Sequence, residues 1–162
     1  MKKKFSAILV VGLLAAVMLF VAACGGAPGW VNNPPSDPQE LITRLRDNDW
    51  EYDDEDLEGN YGEIFASRAS HTWEELAEFA DTATTSVWFE TIVVYYAANE
   101  AAAIAEYNEM RTMIDAQSAE IPSGVTHRYS LNRNGTIVSM WSRTSGNWNV
   151  IRDAILGSID MD

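Results

Sequence analysis

Glu90 is the carboxyl best placed for chemistry. It is the single charge in Val87–Tyr96 (VWFETIVVYY), a β-branched and aromatic run. On a strand it shares one face with Trp88, Ile92, Val94 and Tyr96. A carboxyl buried there has its proton affinity raised by desolvation and becomes a candidate general acid. Near the start of the strand it reaches water instead, and that is the expected outcome. The sequence sets no second carboxylate beside it, and glycoside hydrolysis needs a pair.

A second constellation is acidic. Asp47, Asp49, Glu51, Glu55 and Glu58 follow the spacing of the oxygen ligands in an EF-hand loop, with Asp53 where a backbone carbonyl would ligate. Tyr52 stands where the sharp turn of such a loop wants glycine. Asp54 replaces the apolar residue that follows the carbonyl position. A solvated acidic edge is therefore expected, with at most loose cation association. Histidine offers less: His71 and His127 fall in unrelated elements, and zinc needs three or four ligands. There is no Gly-x-Ser-x-Gly elbow, no phosphate-cradling glycine loop and no lysine beyond Lys4 for a Schiff base. No catalytic residue, metal site or cofactor is assigned. Among the tryptophans, Trp141 beside Arg128 is a candidate surface cation–π pair or half of a ligand platform.

The only cysteine, Cys24, has a different context. Met1–Lys4 is a short basic start, and Phe5–Phe20 is apolar or small apart from Ser6. Val21-Ala22-Ala23 then places small residues directly before the thiol. A charged start, an apolar run and a small-residue cleavage site make a secretory signal peptide. The run also approaches the length of a membrane span, so hydrophobicity alone does not decide. Val21-Ala22-Ala23-Cys24 resembles the lipobox of bacterial lipoproteins, and this resemblance covers residues 1–24 only. It implies cleavage after Ala23, diacylglyceryl transfer to the Cys24 thiol and often acylation of the new amino terminus. Two or more acyl chains make such an anchor stable, where one holds only marginally.

Cleavage at that point would remove all three lysines and no acid. Residues 25–162 carry eight arginines against 24 acids. Such a chain is repelled by nucleic acid and by anionic headgroups, so nucleic-acid binding is set aside and lipid alone must hold it. No cysteine remains for an internal disulfide, so stability must come from a packed core.

The elements follow from local signals. Gly25–Ser36 (GGAPGWVNNPPS) reads as a tether with a reach of roughly 20 Å. Asp37-Pro38-x-Glu40 opens a helix that buries Leu41 and Leu45. A short strand near Trp50 and Tyr52 and a weaker one over residues 63–69 follow, around a turn at Gly59–Gly62. Thr72-x-x-Glu75 is a capping box, opening a helix whose apolar face takes Trp73, Leu76, Ala77, Phe79 and Ala80. Val87–Tyr96, apolar on both faces, should be a central covered strand. Asn99 caps a helix burying Ala103, Tyr107, Met110 and Ile114, with Glu106, Glu109 and Arg111 toward water. Thr126–Arg133 and Thr136–Arg143 flank Asn134-Gly135, a hairpin turn that would pair Leu131 with Val138 and Arg128 with Trp141. Asn147 caps a last helix, ended by Gly157.

The order specifies an α+β fold: a small, mostly antiparallel sheet with helices mainly on one face. Its C-terminal half resembles a ferredoxin-like split β-α-β unit lacking one strand, for which the stretch near Trp50 is the candidate. Three segments are expected: a signal peptide over 1–23, the lipidated cysteine and tether over 24–36, and one acidic domain over 37–162. The function these features point to is a lipid-anchored lipoprotein on the outer side of a bacterial membrane, binding a small ligand or envelope protein without chemistry of its own. A carboxylate-dependent enzyme acting on wall or carbohydrate is the first alternative. Weak divalent-cation binding at the surface is the second.

Overall fold

The computed structural model describes residues 28–78 and 85–156, and the side chains of Trp73, Ala77, Glu78 and residues 154–156 are outside that description. Cys24, Phe79, Ala80 and Gly157 also lie outside it. Among the described residues the order is α1 (Pro38–Asp47), β1 (Glu51–Asp53), β2 (Gly62–Ala69), α2 (Trp73–Glu78), β3 (Ser86–Tyr96), α3 (Glu100–Ala119), β4 (Val125–Asn134), β5 (Ile137–Asn147) and α4 (Trp148–Leu156). The five strands form one antiparallel sheet in the order β1-β2-β3-β5-β4. This is an α+β fold.

The helix starts form as their sequences specify. The Asp37 carboxylate accepts from the Gln39 amide at 2.9 Å, and Asn99 Oδ1 accepts from the Ala102 amide at 2.9 Å. At α2 the capping box closes both ways: the Thr72 amide donates to Glu75 Oε2 (2.8 Å), and the Glu75 amide donates to Thr72 Oγ1 (3.2 Å). Asn147 Oδ1 caps α4 through the Asn149 amide at 2.9 Å. Each bond satisfies a donor that the first helical turn leaves open.

Strand β3 is the middle strand and is covered on both sides. On one face Ile92, Val94 and Tyr96 meet Leu41, Ile42 and Leu45 of α1, with Ile64, Ala66 and Trp141 from neighbouring strands. On the other, Val93 packs with Val138 and Met140 of β5 and with Ala103, Met110 and Ile114 of α3. A smaller cluster on that second face joins Val87 and Ala69 to Leu76 of α2 and to Trp148 and Ile151 of α4. Three helices thus share one face and α1 has the other. Among the described residues no helix is long and apolar enough to cross a membrane.

Strands β3 and β4 run parallel with β5 inserted antiparallel between them, and α3 is the crossover, which is a split β-α-β unit. The place beside β3 that a further strand would fill belongs to β2, not to the stretch near Trp50. That stretch is β1, three exposed residues at the sheet margin. A short, charged edge strand leaves few open backbone groups for another chain to pair with. Trp50 itself is buried under α1, its amide donating to the Leu45 carbonyl at 3.0 Å.

Two expectations need correction. Residues 30–35 are not part of a tether as expected, because Val31 is fully buried in the α1 cluster and Trp30 packs against it. The Tyr96 hydroxyl donates to the Pro35 carbonyl at 2.9 Å, while Asn32 accepts from Ser130 and Asn132 at 2.9 Å each. Asn33 accepts from Asn134 at the same distance. Residues 30–35 are therefore folded onto the sheet and onto β4, with the prolines directing the chain into α1.

The hairpin register is also different. The turn residues are Gly135 and Thr136, so Leu131 faces Met140, Ser130 faces Trp141, and Arg128 faces Arg143. Gly135 has φ +60, and a two-residue turn with glycine first is one of the two favoured hairpin forms. The shift is two residues, so every side chain keeps its face and only its partner changes.

Gly62, at the start of β2, has φ +123, and a Cβ there would lie 2.1 Å from the Asp56 carbonyl oxygen. Gly62→Ala should therefore cost at least about 2 kcal/mol and lower the melting temperature by roughly 5 °C or more. Gly59→Ala, with φ +66 but open space around the new methyl, should cost about half as much in the same thermal melt.

Candidate functional site

A row of four side chains crosses the α1 face of the sheet beyond the apolar cluster. The register aligns Arg68 of β2 with Glu90 of β3, Glu90 with Arg143 of β5, and Arg143 with Arg128 of β4. Glu90 is only 2% exposed, so the expectation that it reaches water is overturned. Its two oxygens are held separately: Arg68 Nε donates to Oε2 at 2.6 Å, and Arg143 Nη1 donates to Oε1 at 3.3 Å. Both arginine side chains are 18% exposed. A buried charge is tolerated only when paired and hydrogen-bonded, and Glu90 is paired twice.

Tryptophan fixes the arginines. The Arg68 guanidinium lies 4.2 Å from the centre of the Trp50 ring and 6.0 Å from that of Trp88. Arg143 lies 4.7 Å over Trp88. Trp88 is thus half-buried beneath two cations. The expected pairing of Trp141 with Arg128 does not form, since the hairpin register puts Trp141 opposite Ser130 and buries it in the α1 cluster. Arg128 stays exposed. With both of its oxygens on arginine, Glu90 presents neither to a substrate, and the arrangement suits charge recognition better than proton transfer.

A carboxyl pair does exist, on the opposite face. Glu63 of β2 is the cross-strand partner of Tyr95. Glu63 Oε2 and Glu106 Oε1 are both sealed from solvent, with no hydrogen-bond partner among the described residues. Burial, then the charges of Glu106, Asp56 and Asp53, push the Glu63 carboxyl up to about 7. Glu106 is raised by burial and then by Glu109, so it is not the water-facing residue that helical spacing suggests. Tyr95 is raised by burial, then by Glu106 and Glu63. Nothing in the sequence links this pair, because residues 63 and 106 come within electrostatic reach only through the tertiary fold.

The acidic stretch does not close into a loop. Asp47 ends α1, Glu51–Asp53 is extended in β1, and Asp47, Asp49, Glu51, Asp53, Glu55 and Glu58 are all exposed. Among the described residues no three His, Cys, Asp or Glu side chains converge as a metal site would require. The histidines serve locally. His71 Nδ1 lies 2.9 Å from Ser70 Oγ, and His127 Nδ1 lies 2.9 Å from Thr144 Oγ1. Burial lowers the His127 pKa from its ordinary value.

Compared with protein-family models, with curated proteins and with solved structures, the chain has no match in any of the three.

The Glu63 environment sets a pH dependence. The folded state holds this proton up to about pH 7, and the unfolded chain releases it near 4.5. Between those values the fold binds more protons, so stability is complete below the lower one and falls as pH rises through the upper. The loss is at most about 3 kcal/mol, less what solvent screening removes. Thermal melts should show a higher melting temperature at pH 5 than at pH 8, and Glu63→Gln should flatten the difference. An unchanged slope in the variant would assign the dependence to other groups.

Proposed function

We propose that this chain is a lipid-anchored bacterial lipoprotein whose folded domain lies on the extracytoplasmic side of the membrane and acts by binding. The observation that carries the anchor is the coincidence, in order, of a basic start, an apolar run, Val21-Ala22-Ala23 and Cys24. Lipid on that thiol is the expected attachment, because residues 25–162 hold only eight arginines against 24 acids and no run of adjacent basic residues. The observation that favours binding over chemistry is the state of Glu90. The carboxyl that the sequence recommends for acid catalysis is enclosed by Arg68 and Arg143.

The second reading, an enzyme acting on wall or carbohydrate through carboxylates, moves from Glu90 to Glu63 and Glu106. What favours it is that Glu63 is pushed up to about 7, close to the value a general acid needs at neutral pH. Release of reducing sugar from wall glycan, lost in Glu63→Gln, would establish that reading in place of the first.

Expressed in a bacterium fed labelled palmitate, the wild-type chain should take up label and sediment with membranes. Cys24→Ser should take up none and, once its leader is removed, appear in the soluble fraction. An unlabelled wild type, or a processed serine variant still held in the membrane pellet, would contradict the anchor.

A further inference from the structure

The segment ahead of α1 decides from which side the domain is held. Followed back toward Pro28, it crosses the sheet to the β4 margin. The Pro35 carbonyl accepts from Tyr96 of β3, whereas Asn33 accepts from Asn134 of β4. Asn32 accepts from Ser130 and Asn132, also of β4. Two turns, closed by the Val31 amide on the Pro28 carbonyl and the Asn33 amide on the Trp30 carbonyl, keep Pro28 close to that segment. Only the stretch from Cys24 to Pro28 then separates the thiol from the folded domain. Fully extended, it reaches at most about 14 Å.

The two margins of the sheet differ in charge. Around β1, residues 47–58 contain eight acids and no base, and every one of those acids is exposed. Strand β4 carries Arg128 and Arg133 and no acid. Arg133 shares its charge with Glu100 at 3.2 Å, and Arg128 is exposed. β1 and β4 are the opposite ends of the five-stranded sheet. Four strand spacings set them roughly 19 Å apart. The fold thus ties the segment leading back to Cys24 to the margin that lacks the acids.

We propose that the β4 margin faces the membrane and meets anionic phospholipid headgroups, with the acids around β1 turned away. The proposal rests on reading Cys24 as the lipid-bearing residue and names the surface that then meets the bilayer. Reach and charge both select this orientation. Standing the sheet on its β1 margin would lift the segment at β4 roughly 19 Å from the headgroups, past the reach of the link to Cys24. It would also press eight like charges into the negative potential of an anionic surface. That potential fades over a Debye length, roughly 8 Å at physiological salt. With the β4 margin down, the acids stand beyond it. The arginines contribute direction, and lipid supplies the attachment.

The test uses the full chain, made in a bacterium fed labelled palmitate and reconstituted into vesicles of phosphatidylethanolamine and phosphatidylglycerol. Tyr129→Cys on β4 and Glu55→Cys beside β1, both at exposed positions, each receive a thiol-reactive bimane. Cys24 does not react once its thiol carries lipid. A lipid with a nitroxide on its headgroup then quenches the dye on contact. The β4 label should be quenched at least threefold more strongly than the label beside β1. Thr126→Cys, also exposed on β4, should repeat the β4 result if Tyr129→Cys lowers the melting temperature. The contrast should narrow in vesicles of phosphatidylcholine alone, and a contrast indifferent to anionic lipid would overturn the headgroup partner. Equal quenching, or stronger quenching beside β1, in palmitate-labelled protein would overturn the orientation and leave the anchor standing. A chain that takes up no palmitate would overturn the anchor, and this proposal with it.

Discussion

A strand that is apolar on both sides has to be covered on both sides, and β3 imposes that constraint on the whole chain. Its eleven residues lie between β2 and β5, with α1 over one face and α2, α3 and α4 over the other. Burying a side chain the size of valine or leucine is worth about 1.5–3 kcal/mol, so a strand of this composition favours coverage strongly. The covering elements then take positions that their own sequences only partly determine. The folding of residues 30–35 onto the sheet is one consequence. Val31 completes the α1 cluster, and Asn32 and Asn33 tie the segment to β4.

The same constraint gives Glu90 its meaning. A carboxylate cannot be placed in the central strand of such a sheet without partners, because desolvating an unpaired charge costs several kcal/mol. The two neighbouring strands each supply one arginine at the register position opposite it. Tryptophans 50 and 88 then pack against those arginines and keep water from most of the cluster. One buried negative charge has thereby fixed two arginines on the α1 face of an otherwise acidic protein. The carboxyls of Glu63 and Glu106 show the other outcome. Among the described residues neither makes an ion pair, and burial, with repulsion from Glu106 on Glu63 and from Glu109 on Glu106, favours the protonated form instead.

What could be read from the sequence was whatever is decided within a few residues. The caps at Asp37, Thr72, Asn99 and Asn147 bond to amides two or three positions away, and all are present. The composition of Val87–Tyr96, apolar on both faces, marks it as central for the same reason. Glu90's partners lie 22 and 53 residues away, and nothing near Glu90 names them. The hairpin shows how a small local ambiguity spreads. Asn134-Gly135 and Gly135-Thr136 are both sound turns and keep the same faces, but only the second sets Arg128 opposite Arg143. Helical spacing turns Glu106 toward water, but it fixes only which residues share a face, not how far a neighbouring strand reaches beneath them, and Glu106 Oε1 is sealed from solvent.

The account depends on Glu90 and Arg68 acting as a unit, and a double-mutant cycle measures that most directly. Urea unfolding of the wild type, Glu90→Gln, Arg68→Gln and the double variant gives the coupling free energy between the two groups. A desolvated, hydrogen-bonded pair should show coupling of about 1.5–3 kcal/mol, with the double variant more stable than the sum of the two single losses implies. Strict additivity would mean that the two residues ignore each other, and the charge cluster described here would not exist.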